Sequence, residues 1–406
     1  MQDTTDSPEP VLKGLRVIDA ATYIAAPAAS AVLSDFGAEV IKIERPPHGD
    51  PFRHISHNPD FPQSPHAYPF ILDNRNKRSV MLNLSKPAGH AAFLRLVDRA
   101  DILITNYQPQ MQARFAIRYE DLAPRNPRLI YAMVTGYGEA GDEAEKPGYD
   151  MTAYYAHSGL MNYLHGTGAD PHTSPCGFGD HPTAMSLVSS ILLALYRRER
   201  TGRGGKVWTT LMHNGVWSNS SLVQGALLGA GNPPRWTRAT APNPFVNHYT
   251  CADGQRFIFC LLDAASDWPK LCRALGRPEL EQDPRWATRE ARLAAHTEFI
   301  ALLDAEFARH PLAEWQRRFA EYDVLYGIVP ENTAVARDPQ MAANGVFLPL
   351  EGGEHQTVAS PIHLAGEEKP VARWAPAPGA HTAEVLAELG YTAAEIAAMQ
   401  QQGEAK

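Results

Sequence analysis

The segment Cys176-Gly177-Phe178-Gly179-Asp180-His181-Pro182 sets a carboxylate directly ahead of 182–200, a run that is apolar on most faces. Such a run reads as a buried helix, closed by Arg197, Arg198 and Arg200 and stopped by Gly202. Those cations suit the negative end of a helix dipole. Asp180 has two readings. An Asp just before a helix, with Pro just inside, is a capping arrangement. The other reading is a nucleophile. A helix N-terminus favours an ionised carboxylate, Gly179 lets a substrate come close, and a carboxylate can form a covalent intermediate. The second site is Pro147-Gly148-Tyr149-Asp150. It is either a loop before a helix over 151–160, with Asp150 as cap, or a phenol in a pocket near Asp180. Spacing does not choose.

These residues need a scaffold. Residues 14–19 read as a buried strand, 25–36 as an Ala-rich helix stopped by Gly37, and 38–44 as a second strand, which together make a βαβ unit. The alternation continues with a strand at 79–82, a helix at 86–100 and a strand at 102–104. A helix ending over 121–126 and a strand at 129–134 follow. The pattern predicts an α/β fold with an open, mostly parallel sheet covered by helices. Ligands in such sheets sit beyond the carboxyl ends of the strands. Arg45, Arg75, Lys77, Arg78, Lys86 and Arg114 lie near those ends and suit a phosphorylated ligand. There is no GxGxxG, GxxxxGK[ST], GxSxG or HExxH, which argues against dinucleotide, P-loop, hydrolase-elbow and zincin chemistry.

Beyond a Gly- and Pro-rich stretch at 230–246, residues 247–262 read as a hairpin turning at Ala252-Asp253-Gly254, followed by helices near 265–275 and 294–309. A last helical pattern at 382–399 breaks at Gly390-Tyr391, and 1–12 reads as a frayed polar tail. At 406 residues, two or three domains are expected. Lys and Arg number 37 and Asp and Glu 45, a net charge of −8, which disfavours a nucleic-acid or anionic-membrane binder. The four cysteines form no CxxC pair and complete no zinc spacing. Free thiols, a polar N-terminus and the lack of a long apolar run lead to the expectation of a soluble, cytoplasmic protein with no metal.

With these residues in place, the sequence resembles the class III CoA-transferases, or CaiB/BaiF family. The matching stretches are GLRVID (14–19), FGAEVIKIERPPHGD (36–50), NKRSVMLNL (76–84), ADILITNYQP (100–109) and NPRLIYAMVTGYG (126–138). Gly179-Asp180, RRERTGRGGKV (197–207), CADG (251–254) and GAHTAEVLAELGYTAAEIAAM (379–399) extend the match. The resemblance implies Asp180 as nucleophile, with Tyr149 beside it. CoA contacts would fall on Ile24, Arg45, Leu82, Asn83, Asn106, Tyr107 and Arg114, with Lys146 to Tyr149 near the pantetheine and thioester. It implies a Rossmann-like large domain from both chain ends (1–200 and 336–406), a linker over 201–245 and a small α+β domain over 246–335. It further implies two interlocked chains, with acyl-CoA and a small carboxylic acid as substrates and no permanently bound cofactor.

The implied reaction moves CoA from an acyl-CoA to a free acid through aspartyl anhydride and aspartyl-CoA thioester stages. The 2-methylacyl-CoA racemases of the family carry Gly-His-Asp where this chain has Gly148-Tyr149-Asp150. The formyl-CoA:oxalate and carnitine CoA-transferases carry Tyr there, and a phenol of pKa about 10 is a poor proton shuttle, so transfer is favoured over racemisation. A non-catalytic nucleotide-binding protein is the third reading. Oxalate-using members have Gln where Ile24 stands, a glycine run as a lid, and Ser in place of His181. Ile24, with Trp208, Trp217 and Trp236 downstream, points to an acyl group larger or less polar than oxalate.

Overall fold

The computed structural model describes residues 9–406, so residues 1–8 of the expected tail lie outside the described residues. Residues 9–12 are not frayed: the Leu12 side chain is buried and its N–H donates to Phe36 O at 2.9 Å. The chain divides into two compact units. One runs to Tyr163 and resumes over His172–Leu228 and Ala343–Lys406; the other comprises Leu164–Pro171 and Gly229–Ala342.

The larger unit holds six parallel strands: β1 (Arg16–Ala20), β2 (Glu39–Glu44), β3 (Arg78–Met81), β4 (Ile102–Thr105), β5 (Ile130–Thr135) and β6 (Gly205–Thr210). Their order is β3-β2-β1-β4-β5-β6. β1, β2, β4 and β5 give apolar side chains to cores on both faces, which helices cover. On one side the helices Ala25–Asp35 and Asp180–Thr201 pack, and on the other Pro87–Val97 packs with Thr382–Glu388 and Ala393–Gln401. The Ala25–Asp35 helix is buried along its whole length. Its small side chains let it lie close between the sheet and the Asp180–Thr201 helix, a fit that bulkier residues would block.

Several local expectations change. Residues 201–245 are not all connecting chain: β6 and the helices Leu211–Ser218 and Ser220–Leu227 lie within them. β6 is an edge strand with an exposed Trp208, so it lacks the apolar run that marks its neighbours. The expected helix over 151–160 is a π-helical turn, Asp150–Ala156, followed by Leu160–Tyr163. The smaller unit carries the antiparallel strands β7 (His248–Thr250), β8 (Arg256–Phe259) and β9 (Tyr326–Ile328), over an aromatic core that includes Phe257, Phe307, Trp315 and Phe319. No helix among the described residues is long and apolar enough to cross a membrane.

Candidate active site

The strand order reverses between β1 and β4, and in open α/β sheets that crevice is where ligands bind. Asn106 staples the two loops there. Thr22 N–H donates to its Oδ1 (3.1 Å) and its Nδ2 donates to Thr22 O (2.7 Å). Above the crevice lies a cavity of about 530 Å³ whose walls include Ile24, Asn106, Tyr107, Lys146, Tyr149 and Asp180. A smaller cavity of about 190 Å³ is lined by Arg45, Leu82 and Asn83; Thr22 and Tyr107 line both. The sequence-predicted residues therefore fall on two adjoining cavities, except Arg114. Arg114 is exposed and sits over the ring of Phe115, itself a wall of the smaller cavity.

Asp180 opens its helix from inside. The N-cap is Gly179, which makes no side-chain cap bond, and Asp180 is the first helical residue. Among the described residues its carboxylate accepts no hydrogen bond, so the capping reading lacks its defining contact. Gly179 has a role different from the one expected. A Cβ there would sit 2.3 Å from Tyr154 Cγ, so the missing side chain makes room for a buried ring rather than for a ligand. Gly148 and Gly136 pack back to back: a Cβ on Gly148 would lie 2.6 Å from Gly136 Cα. That contact pins the 147–150 loop, and hence Tyr149, to the end of β5.

Electrostatically the site is acidic. Burial, then the nearby Asp150 carboxylate, pushes Asp180 up to about 8, against an opposing pull from His181. Asp150 is buried, and its Oδ2 has no hydrogen-bond partner. Burial also pushes the Cys176 thiol up to about 11, so it is a neutral wall of the cavity rather than a thiolate. Tyr23 carried no prediction as a site residue, and Asp150, expected as a helix cap within the second site, is instead the first residue of the π-helical turn, with Tyr149 as its N-cap. Tyr23 adopts φ +65°, and its N–H donates to Asp50 Oδ1 (3.2 Å). Its ring meets Tyr149 edge-on at 5.8 Å, and burial and Tyr149 raise its pKa. The left-handed backbone needs the tertiary contact with Asp50, which no local sequence signal announces.

Two N–H groups at the helix start are already committed to the backbone. His181 N–H donates to Gly177 O (3.1 Å) and Thr183 N–H to Gly179 O (3.2 Å). That leaves the half-exposed Tyr149 hydroxyl as a donor on the cavity wall. The basic set also thins. Arg75 is paired with Asp35 (2.7 Å), Lys77 with Asp19 (2.7 Å) and Arg78 with Glu39, Glu384 and Glu388, while Lys86 donates to Gln402 O. Lys146 pairs with Glu143 (2.6 Å) at the surface. Lys86, Arg45 and Arg114 make no ion pair among the described residues; Arg45 lines the smaller cavity and Arg114 sits over Phe115, one of its walls. Trp208, Trp217 and Trp236 do not line the larger cavity; its apolar walls come from Ile24, Phe52, Ile55 and Phe61.

The profile of "CoA-transferase family III" matches residues 12–382. The chain is 32% identical to a cinnamoyl-CoA:phenyllactate CoA-transferase of Clostridium sporogenes, covering 95% of each chain. It is 30% identical to an (R)-2-hydroxy-4-methylpentanoate CoA-transferase of Clostridioides difficile, over 95% of this chain and 97% of that one. A crystal structure of a CaiB/BaiF family protein from Brucella suis superposes with a TM-score of 0.84 at 29% identity, covering 94% of this chain and all of that one. A site at the sheet's reversal point, the family profile along nearly the whole chain and these relatives agree: the chain belongs to CoA-transferase family III and is a transferase.

Proposed function

We propose that the enzyme transfers CoA from an acyl-CoA to a free carboxylic acid, with Asp180 as the covalent nucleophile. The Asp180 carboxylate attacks the thioester carbonyl, the C–S bond breaks, and a mixed anhydride and CoA thiolate result. The thiolate attacks the aspartyl carbonyl and expels the donor acid, leaving an aspartyl-CoA thioester. The acceptor carboxylate attacks that carbonyl and expels the thiolate. The thiolate then takes the acceptor acyl group and frees Asp180. One thioester replaces another, so no external energy source is needed. The observation that carries the reading is a partly buried carboxylate on a cavity wall, free of protein hydrogen bonds, at a helix start. Tyr149 would donate a hydrogen bond to the oxyanions, and the enclosed walls would shield the anhydride from water.

CoA is read as lying with its nucleotide phosphates near Arg45 and Arg114 and its pantetheine past Asn106 and Tyr107. Ile24, Phe52, Ile55 and Phe61 then favour an aryl or branched-alkyl acyl group, in keeping with the substrates named for the two clostridial relatives. We further read the enzyme as a homodimer of the cytoplasm. Free acids tested against succinyl-CoA and cinnamoyl-CoA should show faster transfer to 3-phenyllactate or 4-methyl-2-hydroxypentanoate than to oxalate. Quenched turnover should leave CoA on the peptide bearing Asp180, detected by mass. Adduct on another residue, or Cα–H exchange of an acyl-CoA with no acceptor acid needed, would overturn the reading.

The free-enzyme pH profile gives a separate check. With Asp180 at about 8, kcat/KM should rise with pH through about 8, because only the ionised carboxylate attacks. Asp150→Asn removes a like charge and should move that limb down by about one unit.

A further inference from the structure

His181 follows Asp180 in the chain, and its ring is tied on two sides. Nε2 lies 3.0 Å from Asp73 Oδ1, a carboxylate only 3% exposed. The Gly177 backbone packs against the ring: a Cβ there would meet ring Cε1 at 2.7 Å and Nδ1 at 2.9 Å. A carboxylate acceptor at Nε2 calls for a proton on that nitrogen. Asp73 itself is held in place. Lys77 Nζ donates to Asp73 O (2.6 Å) and Asn74 Oδ1 (2.8 Å) while pairing with Asp19 (2.7 Å). Burial opposes charge on His181, but Asp73 outweighs it and raises the imidazole pKa. The charged groups facing Asp180 are Asp150, Asp73 and His181, and those facing His181 are Asp73 and Asp180. In this cluster of three carboxylates His181 is the one cation among the described residues.

We propose that the Asp73–His181 pair is a positioning device for the nucleophile, fixing the Gly177–Gly179 turn and keeping one positive charge beside Asp180. It rests on Asp180 being the attacking group. The ring acts through Asp180, because its Nε2 is held by Asp73.

The test uses His181→Gln, which keeps a donor toward Asp73 but no charge, and His181→Lys, which keeps the charge. With the best donor–acceptor pair from the acid panel, the acid limb of kcat/KM should move up by about one unit in the Gln variant. That is about a tenfold loss at pH 7 and little loss at pH 9, with the Lys variant returning toward wild type. Histidine C2–H exchange followed by mass spectrometry should give His181 a pKa above 6.5 in the wild type and a lower one in Asp73→Asn. An unmoved limb in the Gln variant, or an ordinary His181 pKa indifferent to Asp73, overturns the inference. If Asp180→Asn is inactive while the Gln limb stays put, only the pair's role fails. If Asp180→Asn keeps transfer, the nucleophile reading fails with it.

Discussion

Asp180→Asn is expected to lower CoA transfer by on the order of a thousandfold or more while making the protein more stable at neutral and alkaline pH. The two effects share a cause. A partly buried carboxylate beside Asp150, with its pKa pushed up to about 8, is unfavourable in the folded state once ionised. Its folded pKa lies above the unfolded value of about 4. The destabilisation is therefore absent below pH 4, grows as pH rises, and is complete above about 8. Discounted for the partial exposure of Asp180, this leaves roughly 1–3 kcal/mol for Asn to recover near pH 8. Urea midpoints at pH 4 and pH 9 should show no gain at the first and the full gain at the second. A capping Asp predicts the reverse: a loss of about 1 kcal/mol with transfer intact. Reduced stability together with retained transfer would sink the nucleophile assignment.

How much of this was readable in the chain depends on the range of the interactions. β1 to β5 are short, mostly buried runs built around apolar residues, and their order along the chain yields a parallel sheet and its ligand-bearing edge. β6 escaped because an edge strand with Lys206 and Trp208 half in solvent carries neither an apolar run nor clean alternation. Asp180 was visible because glycine, acid and helix start are neighbours in sequence. Asp73 was not, since it reaches His181 across 108 positions. Lysines gave the most misleading signal. Lys77 and Arg45 look alike in sequence, yet Lys77 is sealed against Asp19 while Arg45 is exposed at the smaller cavity. Burial decides whether a cation is a ligand site or a strut, and burial is a tertiary property. The Gly179 misassignment has the same origin, because the ring that fills its space is 25 residues upstream.

Asp19→Asn should cost about 3–5 kcal/mol of stability at pH 7, the cost of removing one partner from a buried ion pair. Asp19 lies one residue before the end of β1 with no exposure, 2.7 Å from Lys77 and 3.9 Å from Lys42, and accepts from Ser30 Oγ at 2.9 Å. Burial disfavours its charge, but the two lysines outweigh that and hold its pKa below the ordinary carboxylate value. Its stabilisation is thus present above pH 4 and lost as pH falls further. Asn keeps the shape and the Ser30 bond while removing the charge. Lys42 retains Asp50 at 2.9 Å, but Lys77 is left with neutral acceptors only. Burial already draws Lys77 down to about 8, so without Asp19 the group sheds its proton to stay folded. The loss should therefore shrink as pH rises from 7 to 9, opposite in sign to the alkaline destabilisation carried by Asp180. Adding Lys77→Met should restore part of the stability, since an apolar side chain of similar volume removes the stranded charge. Activity should not return with it, because Asp73 loses the Lys77 bond at its carbonyl and no longer holds the His181 ring against the nucleophile's turn. Equal urea midpoints for Asp19→Asn and wild type at pH 7 would show that this cluster bears no weight in the sheet.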